Sequence, residues 1–185
     1  MSVLKKRKFA VLIVVVVAVL ATLFGVRKSL NILARDAEAM FFDGVYLEEQ
    51  RYTQPGINTH IENSAGAALG LSTIMENYAE LRDDSSALLS ARREFIAARS
   101  IKEKFSANEK MHIAFDSLTE RAAKLDLNDR DQEALKQYSS TFYGAQTAIA
   151  NSQYNQRASA FMDEASVLAH LLRPFIFVKS PQIFA

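Results

Sequence analysis

Three histidines, His60, His112 and His170, are the residues of this chain best suited to bind a metal or move a proton near neutral pH. They fall on three different predicted helices, so they could meet only if the fold brought those helices together. His60 stands near a helix start and His112 beside an apolar stripe, where an isolated histidine is ordinarily a surface or core residue. The chain has no cysteine, which removes disulfides, thiolate zinc sites and cysteine nucleophiles together. It also lacks a phosphate-cradling glycine-rich loop, a His-Glu-x-x-His motif, a nucleophile elbow and the two Glu-x-x-His motifs of a di-iron bundle. The expectation is therefore no catalytic residue, no cofactor and no metal.

Two polar patterns remain. Arg92, Arg93, Arg99, Lys102, Lys104 and Lys110 are interspersed with Glu94, Glu103 and Glu109, which reads as a solvated helix face, with a site for an anionic partner as the alternative. Tyr138, Tyr143 and Tyr154, with Asn151, Gln153 and Asn155, place polar aromatic and amide groups along the predicted last helix. Such groups either cement helix contacts or form an interface. With Lys5, Lys6, Arg7 and Lys8 clustered at the N-terminus, the 21 acidic side chains outnumber the basic ones over the rest of the chain. That balance offers no general attraction for nucleic acid.

The element that must position everything else comes first in the chain. Phe9 to Val26 is an uncharged run, about 27 Å long as a helix against a hydrocarbon core of about 30 Å. Its Leu, Ile, Val and Phe side chains contribute roughly −4 to −8 kcal/mol to insertion. The cations before the run outnumber Arg27 and Lys28 behind it, which predicts a cytoplasmic N-terminus and a domain on the outer side of a single-pass cell membrane protein. A cleaved signal peptide is the competing reading, since Val19 and Ala21 could precede a cut at Thr22. Such a cut would fall inside the apolar run, so an uncleaved anchor is expected.

Beyond the anchor, Leu30, Leu33, Ala37, Met40 and Phe41 recur at helical steps, and nothing between Val26 and Leu30 breaks a helix. The first domain helix is thus predicted to continue from the anchor to about Gln50. Gln54-Pro55-Gly56 ends it, and the Thr59 to Glu62 spacing suits a capping box opening a second helix. Its stripe runs from Ile57 to Leu81, interrupted at Asp83-Asp84-Ser85-Ser86. Gly66-Ala67-Ala68-Leu69-Gly70 is expected to allow close helix packing within a bundle. A third helix carries Leu88, Phe95, Ile101 and Phe105, and Ser106 to Glu109 is a second capping-box spacing that could restart a fourth. The turn Leu125 to Asp129 leads to a long last helix, from about Arg130 to Arg173, stopped by Pro174.

No segment alternates with period two for long enough to be a strand. The predicted class is all-α: an N-terminal transmembrane helix and an antiparallel, four-helix-like bundle with a long last helix. The predicted divisions are a basic stub at 1–8, the transmembrane helix at 9–26, the bundle at 27–173 and an apolar tail at 174–185. That tail carries Phe175, Phe177 and Phe184, and is predicted to fold back over the bundle or to touch a membrane or partner.

This order of features resembles the LemA family. Ala148 to Ser152, followed by Gln153-Tyr154-Asn155, is similar to that family's approach to a Tyr-Asn pair, and Pro181-Gln182-Ile183-Phe184 resembles its closing Pro-x-Phe element. Ala37 to Met40 and Pro55 to Asn58 match more loosely. Where the family carries a second Tyr-Asn and a Phe-Pro pair, this chain has Ser159-Ala160-Phe161 and Ala165-Ser166, the pattern of a divergent member. The resemblance implies a non-catalytic, membrane-anchored helical protein of the bacterial envelope, and a cytoplasmic domain, opposite to the side that the charges predict. The function expected is interaction or scaffolding near the bilayer, through Tyr154, Asn155, Phe175, Phe177 and Phe184. A ligand-binding sensory bundle acting through a partner is the alternative. The protein partner and the oligomeric state are left open.

Overall fold

A computed structural model describes residues 3–48, 51–152, 154, 159 and 184. Its contacts separate a unit that includes Met1–Glu38 from a second made of Ala39–Asn155 and Gln182–Ala185. Helix α1 is Val3–Asp43, 41 residues long. It passes Val26 to Leu30 without a break, as the absence of Pro or paired Gly there predicts.

Gly44 is what stops it. This residue has φ +86, and its N–H reaches the Met40 carbonyl at 3.1 Å, the left-handed cap that glycine adopts without a Cβ penalty. The helix therefore ends at Asp43 rather than near Gln50. A two-stranded antiparallel hairpin follows, β1 (Val45–Leu47) and β2 (Tyr52–Gln54), pairing Val45 with Gln54 and Leu47 with Tyr52. Each strand is only three residues, too short for an alternating pattern to register in the sequence.

Two glycines let the chain close up here. A Cβ on Gly44 would lie 2.0 Å from the Gln54 carbonyl oxygen, and one on Gly56 would lie 2.5 Å from that of Phe41. Both obstacles are backbone and cannot swing away. Gly66, inside α2, has nothing within 4 Å of the same position. Opposite signs are thus expected for one chemical change. Gly56→Ala should lower the unfolding midpoint, whereas Gly66→Ala should raise stability by up to ~1 kcal/mol through helix propensity. Thermal melts of the two variants check this; shifts of the same sign would contradict the packing described.

Helix α2 (Ile57–Met75) begins at Gly56, with no side-chain cap. Starting at the Pro55-Gly56 break puts Thr59 and Glu62 inside the helix, so the expected capping box is not formed. Glu62 accepts instead from the Asn58 amide at 2.6 Å. After a single 3₁₀ turn at Ala79–Leu81, α3 (Arg82–Ala97) opens with Asp83 and Asp84 in its first turn. These acids complement the helix dipole and mark a beginning.

Helix α4 (Ile101–Ala122) is continuous through Ser106. Its capping box lies one turn and a half earlier, where Ser100 Oγ accepts from the Glu103 N–H at 3.2 Å. The Glu103 carboxylate in turn accepts from the N–H groups of Arg99 at 2.8 Å and Ser100 at 3.1 Å. Those bonds hold its pKa below the ordinary value. The chain thus breaks at Ala98 to Ser100, between two separate helices, and not at Ser106.

Helix α5 (Asp129–Ala150) is capped by Asn128, which accepts from the Asp131 N–H at 2.9 Å. It does not run unbroken towards Arg173 as the stripe predicts. The Ser152 N–H tightens onto the Ile149 carbonyl at 3.0 Å. Ser152 Oγ then accepts from the Tyr154 N–H at 3.2 Å, a local bond that competes with helix continuation. Ser152 itself is outside the helix.

Among the described residues the bundle is all-α apart from the hairpin. Helices α2 and α5 run antiparallel, since Ser64 meets Gln146, Gly70 meets the Tyr138 ring and Tyr78 meets Asp131. α3 and α4 do likewise, with Glu94 paired to Lys110 and Asp84 to Arg121, each at 2.5 Å. Leu71, Met75, Leu88, Met111, Phe115, Leu118 and Phe142 are wholly buried between them. Phe115 of α4 stacks on Phe142 of α5 with centroids 3.8 Å apart.

Candidate functional site

Phe9–Ser29 is long and apolar enough to cross a membrane, with mean hydropathy 3.1, and no residue of the run is buried by the protein. Val14 is 66 % exposed and Phe24 67 %. At 1.5 Å per residue the 21-residue run is about 31 Å long, close to a hydrocarbon core. The hydroxyl of Thr22 is satisfied from within the helix, where its Oγ donates to the Ala18 carbonyl at 2.9 Å. Such a surface exposes far more contiguous apolar area than a monomer in water tolerates.

The residues singled out for chemistry lie elsewhere. His60 is half-buried, and burial lowers its pKa. His112 Nε2 is 3.7 Å from Asp116 and its ring lies against Phe142 and Tyr143. Tyr143 donates to Asp116 at 2.7 Å; burial first, then that carboxylate, raises the pKa of its phenol. His170 is outside the described residues. The spacing Glu109-x-x-His112 stands alone, and the described residues contain no group of three or more His, Asp or Glu placed to hold a metal.

The basic run is partly engaged within the bundle. Arg92 donates to the Ala65 carbonyl at 3.0 Å, Lys110 pairs with Glu94, and Lys104 sits 4.4 Å from the Phe95 ring centre. The tyrosines likewise act between helices: Tyr138 covers Gly70, and Tyr78 joins Asp131 at 2.8 Å.

Of the proposed interaction residues, Tyr154 and Phe184 are buried, 2 % and 4 % exposed. Their rings are each 5.5 Å from that of Phe41, and Phe184 also meets Phe105 edge-on at 5.1 Å. The chain's last aromatic residue is thus placed in the same cluster as the last turn of α1. Asn155, Phe175 and Phe177 lie outside the described residues.

One group was not foreseen from the sequence. Asn108, 2 % exposed, exchanges two amide bonds with Gln146, at 3.1 and 3.0 Å. Gln146 donates again to Ser64 Oγ at 3.1 Å, and Ser64 donates to the His60 carbonyl at 3.2 Å. The signal was present: Asn108 occupies the stripe of Met111 and Phe115, at helical steps from both. The network ties α2, α4 and α5 in one register. Asn108→Leu is expected to lose about 1–3 kcal/mol, because the Gln146 side-chain carbonyl is left without its donor, and adding Gln146→Leu should recover part of that loss. Denaturation midpoints of the single and double variants test the coupling.

A scan of protein families, a search of curated proteins and a search of solved structures each return no match to this chain.

Proposed function

We propose that the chain is a single-pass membrane protein, held by Phe9–Ser29, whose helical bundle is a non-catalytic interaction module at the bacterial cell envelope in the manner of the LemA family. The observation that supports it is the Phe9–Ser29 helix, long and apolar enough to cross a membrane and with no residue buried. The likeness to LemA rests on the order of features and on the Tyr154-Asn155 and Pro181 to Phe184 elements, with looser matches at Ala37 to Met40 and Pro55 to Asn58. The charges flanking the run favour a cytoplasmic N-terminus and an outward bundle.

An interaction module must offer side chains to a partner. Ile96 on α3 and Ile113 on α4 are 58 % and 70 % exposed. A photo-cross-linking residue at either position, in full-length protein within its own membranes, is expected to give a discrete adduct of constant mass. Irradiation that leaves the chain unmodified at both positions would sink the interaction role, though not the anchor.

A further inference from the structure

On α1, Phe24, Arg27, Lys28, Asn31, Ile32 and Arg35 follow at alternating steps of three and one, so all six share one helix face. Together they line a concavity of about 400 Å³. Arg27, Lys28 and Arg35 are exposed, as are Phe24 and Ile32. Among the described residues, the ion pairs are Lys110 with Glu94, His112 with Asp116 and Arg121 with Asp84. None of these pairs involves Arg27, Lys28 or Arg35.

Their place beside the apolar run decides which anion reaches them. Arg27 and Lys28 fall at its end; Asn31 and Arg35 follow Ser29 by about 3 Å and 9 Å along the helix axis. A headgroup layer is roughly 5–8 Å deep on each side of the hydrocarbon. The face would therefore cross that layer, with Phe24 at its oily end and Arg35 at its wet end. Long Arg and Lys stems carry their charges to the level of the phosphates. Two guanidinium forks offer paired donors to phosphate oxygens, and the Asn31 amide adds a neutral one.

Resting on the membrane-spanning reading above, we infer that this face seats the phosphate headgroup of an anionic phospholipid, with Phe24 against its acyl chains. Inorganic phosphate has the same oxygens but no chains, so Phe24 contributes nothing to holding it.

The test uses full-length protein in phosphatidylcholine vesicles containing a trace of spin-labelled phosphatidylglycerol or spin-labelled phosphatidylcholine. The motionally restricted fraction of each label reports lipid at the protein. Phosphatidylglycerol is expected to be preferred by about fivefold at low salt. The preference should fall below about twofold in the variant Arg27→Gln/Lys28→Gln/Arg35→Gln, and persist in Lys5→Gln/Lys6→Gln/Arg7→Gln/Lys8→Gln. Sodium phosphate should displace the label no better than sodium chloride of equal ionic strength.

Equal association of the two lipids with the wild type, or a preference that survives loss of the three cations, would overturn the inference. Stronger displacement by phosphate than by chloride would make the face a free-anion site and overturn it too. A wild type that restricts neither label is not in the bilayer at all, which removes the membrane-spanning reading as well.

Discussion

Phe41→Ala is expected to remove about 3–5 kcal/mol of stability from the bundle, a large share of what a domain of this size has. Phe41 is wholly buried, and its ring touches those of Phe42, Tyr154 and Phe184. Truncation would leave a cavity on which three separated parts of the chain converge. Because Tyr154 and Phe184 lose a common neighbour, the C-terminus should also be trimmed faster by carboxypeptidase. Phe42, 42 % exposed, is the control: the same change there should cost under about 1.5 kcal/mol, in proportion to the apolar area it buries. Circular dichroism of full-length protein during denaturant titration in a mild detergent reads both variants. Equal losses at the two positions would contradict the cluster.

The second large effect concerns the apolar run. Val16→Arg with Val19→Arg places two charges near its centre, each unfavourable by about 2.5–3.5 kcal/mol. The whole run supplies only roughly −4 to −8 kcal/mol, so insertion should fail or become marginal. The variant is expected to leave the membrane fraction for the soluble fraction or be degraded, while Val16→Leu with Val19→Leu stays. Retention of the double arginine variant in the membrane would show that something other than this helix holds the chain there.

How much of this was legible beforehand depended on whether a feature had a local cause. The apolar run, the continuity past Val26, the Pro55-Gly56 break and the turn at Leu125 to Asp129 are each set by residues adjacent in sequence. They could be read directly. The helix after Ala150 could not: the stripe of Phe142, Ala145 and Ile149 continues in sequence, but the Ser152 hydroxyl offers Tyr154 a competing bond. Capping boxes misled for the opposite reason. Thr59 to Glu62, Ser106 to Glu109 and Ser100 to Glu103 have the same spacing, and only the last lies where the chain bends. Which spacing becomes a cap is decided by packing at the helix end. The Asn108–Gln146 pair joins residues far apart in the chain, and only the antiparallel register brings them together.

An apolar C-terminus can fold back or reach out, and its composition is the same in either case. Phe41 decides for Phe184, since a buried ring at 5.5 Å is a packing contact. The two rings that resemble a family motif are thus seated in the bundle's own core.

The proposed anchor is tested most directly by the intact mass of the chain recovered from membranes washed in alkaline carbonate. The proposal expects the protein in the pellet, at the full 20.6 kDa and with Lys5 to Val26 still attached. A chain found in the supernatant would contradict it, and one that begins at Thr22 or later would contradict it by making Phe9 to Ala21 a removed signal sequence.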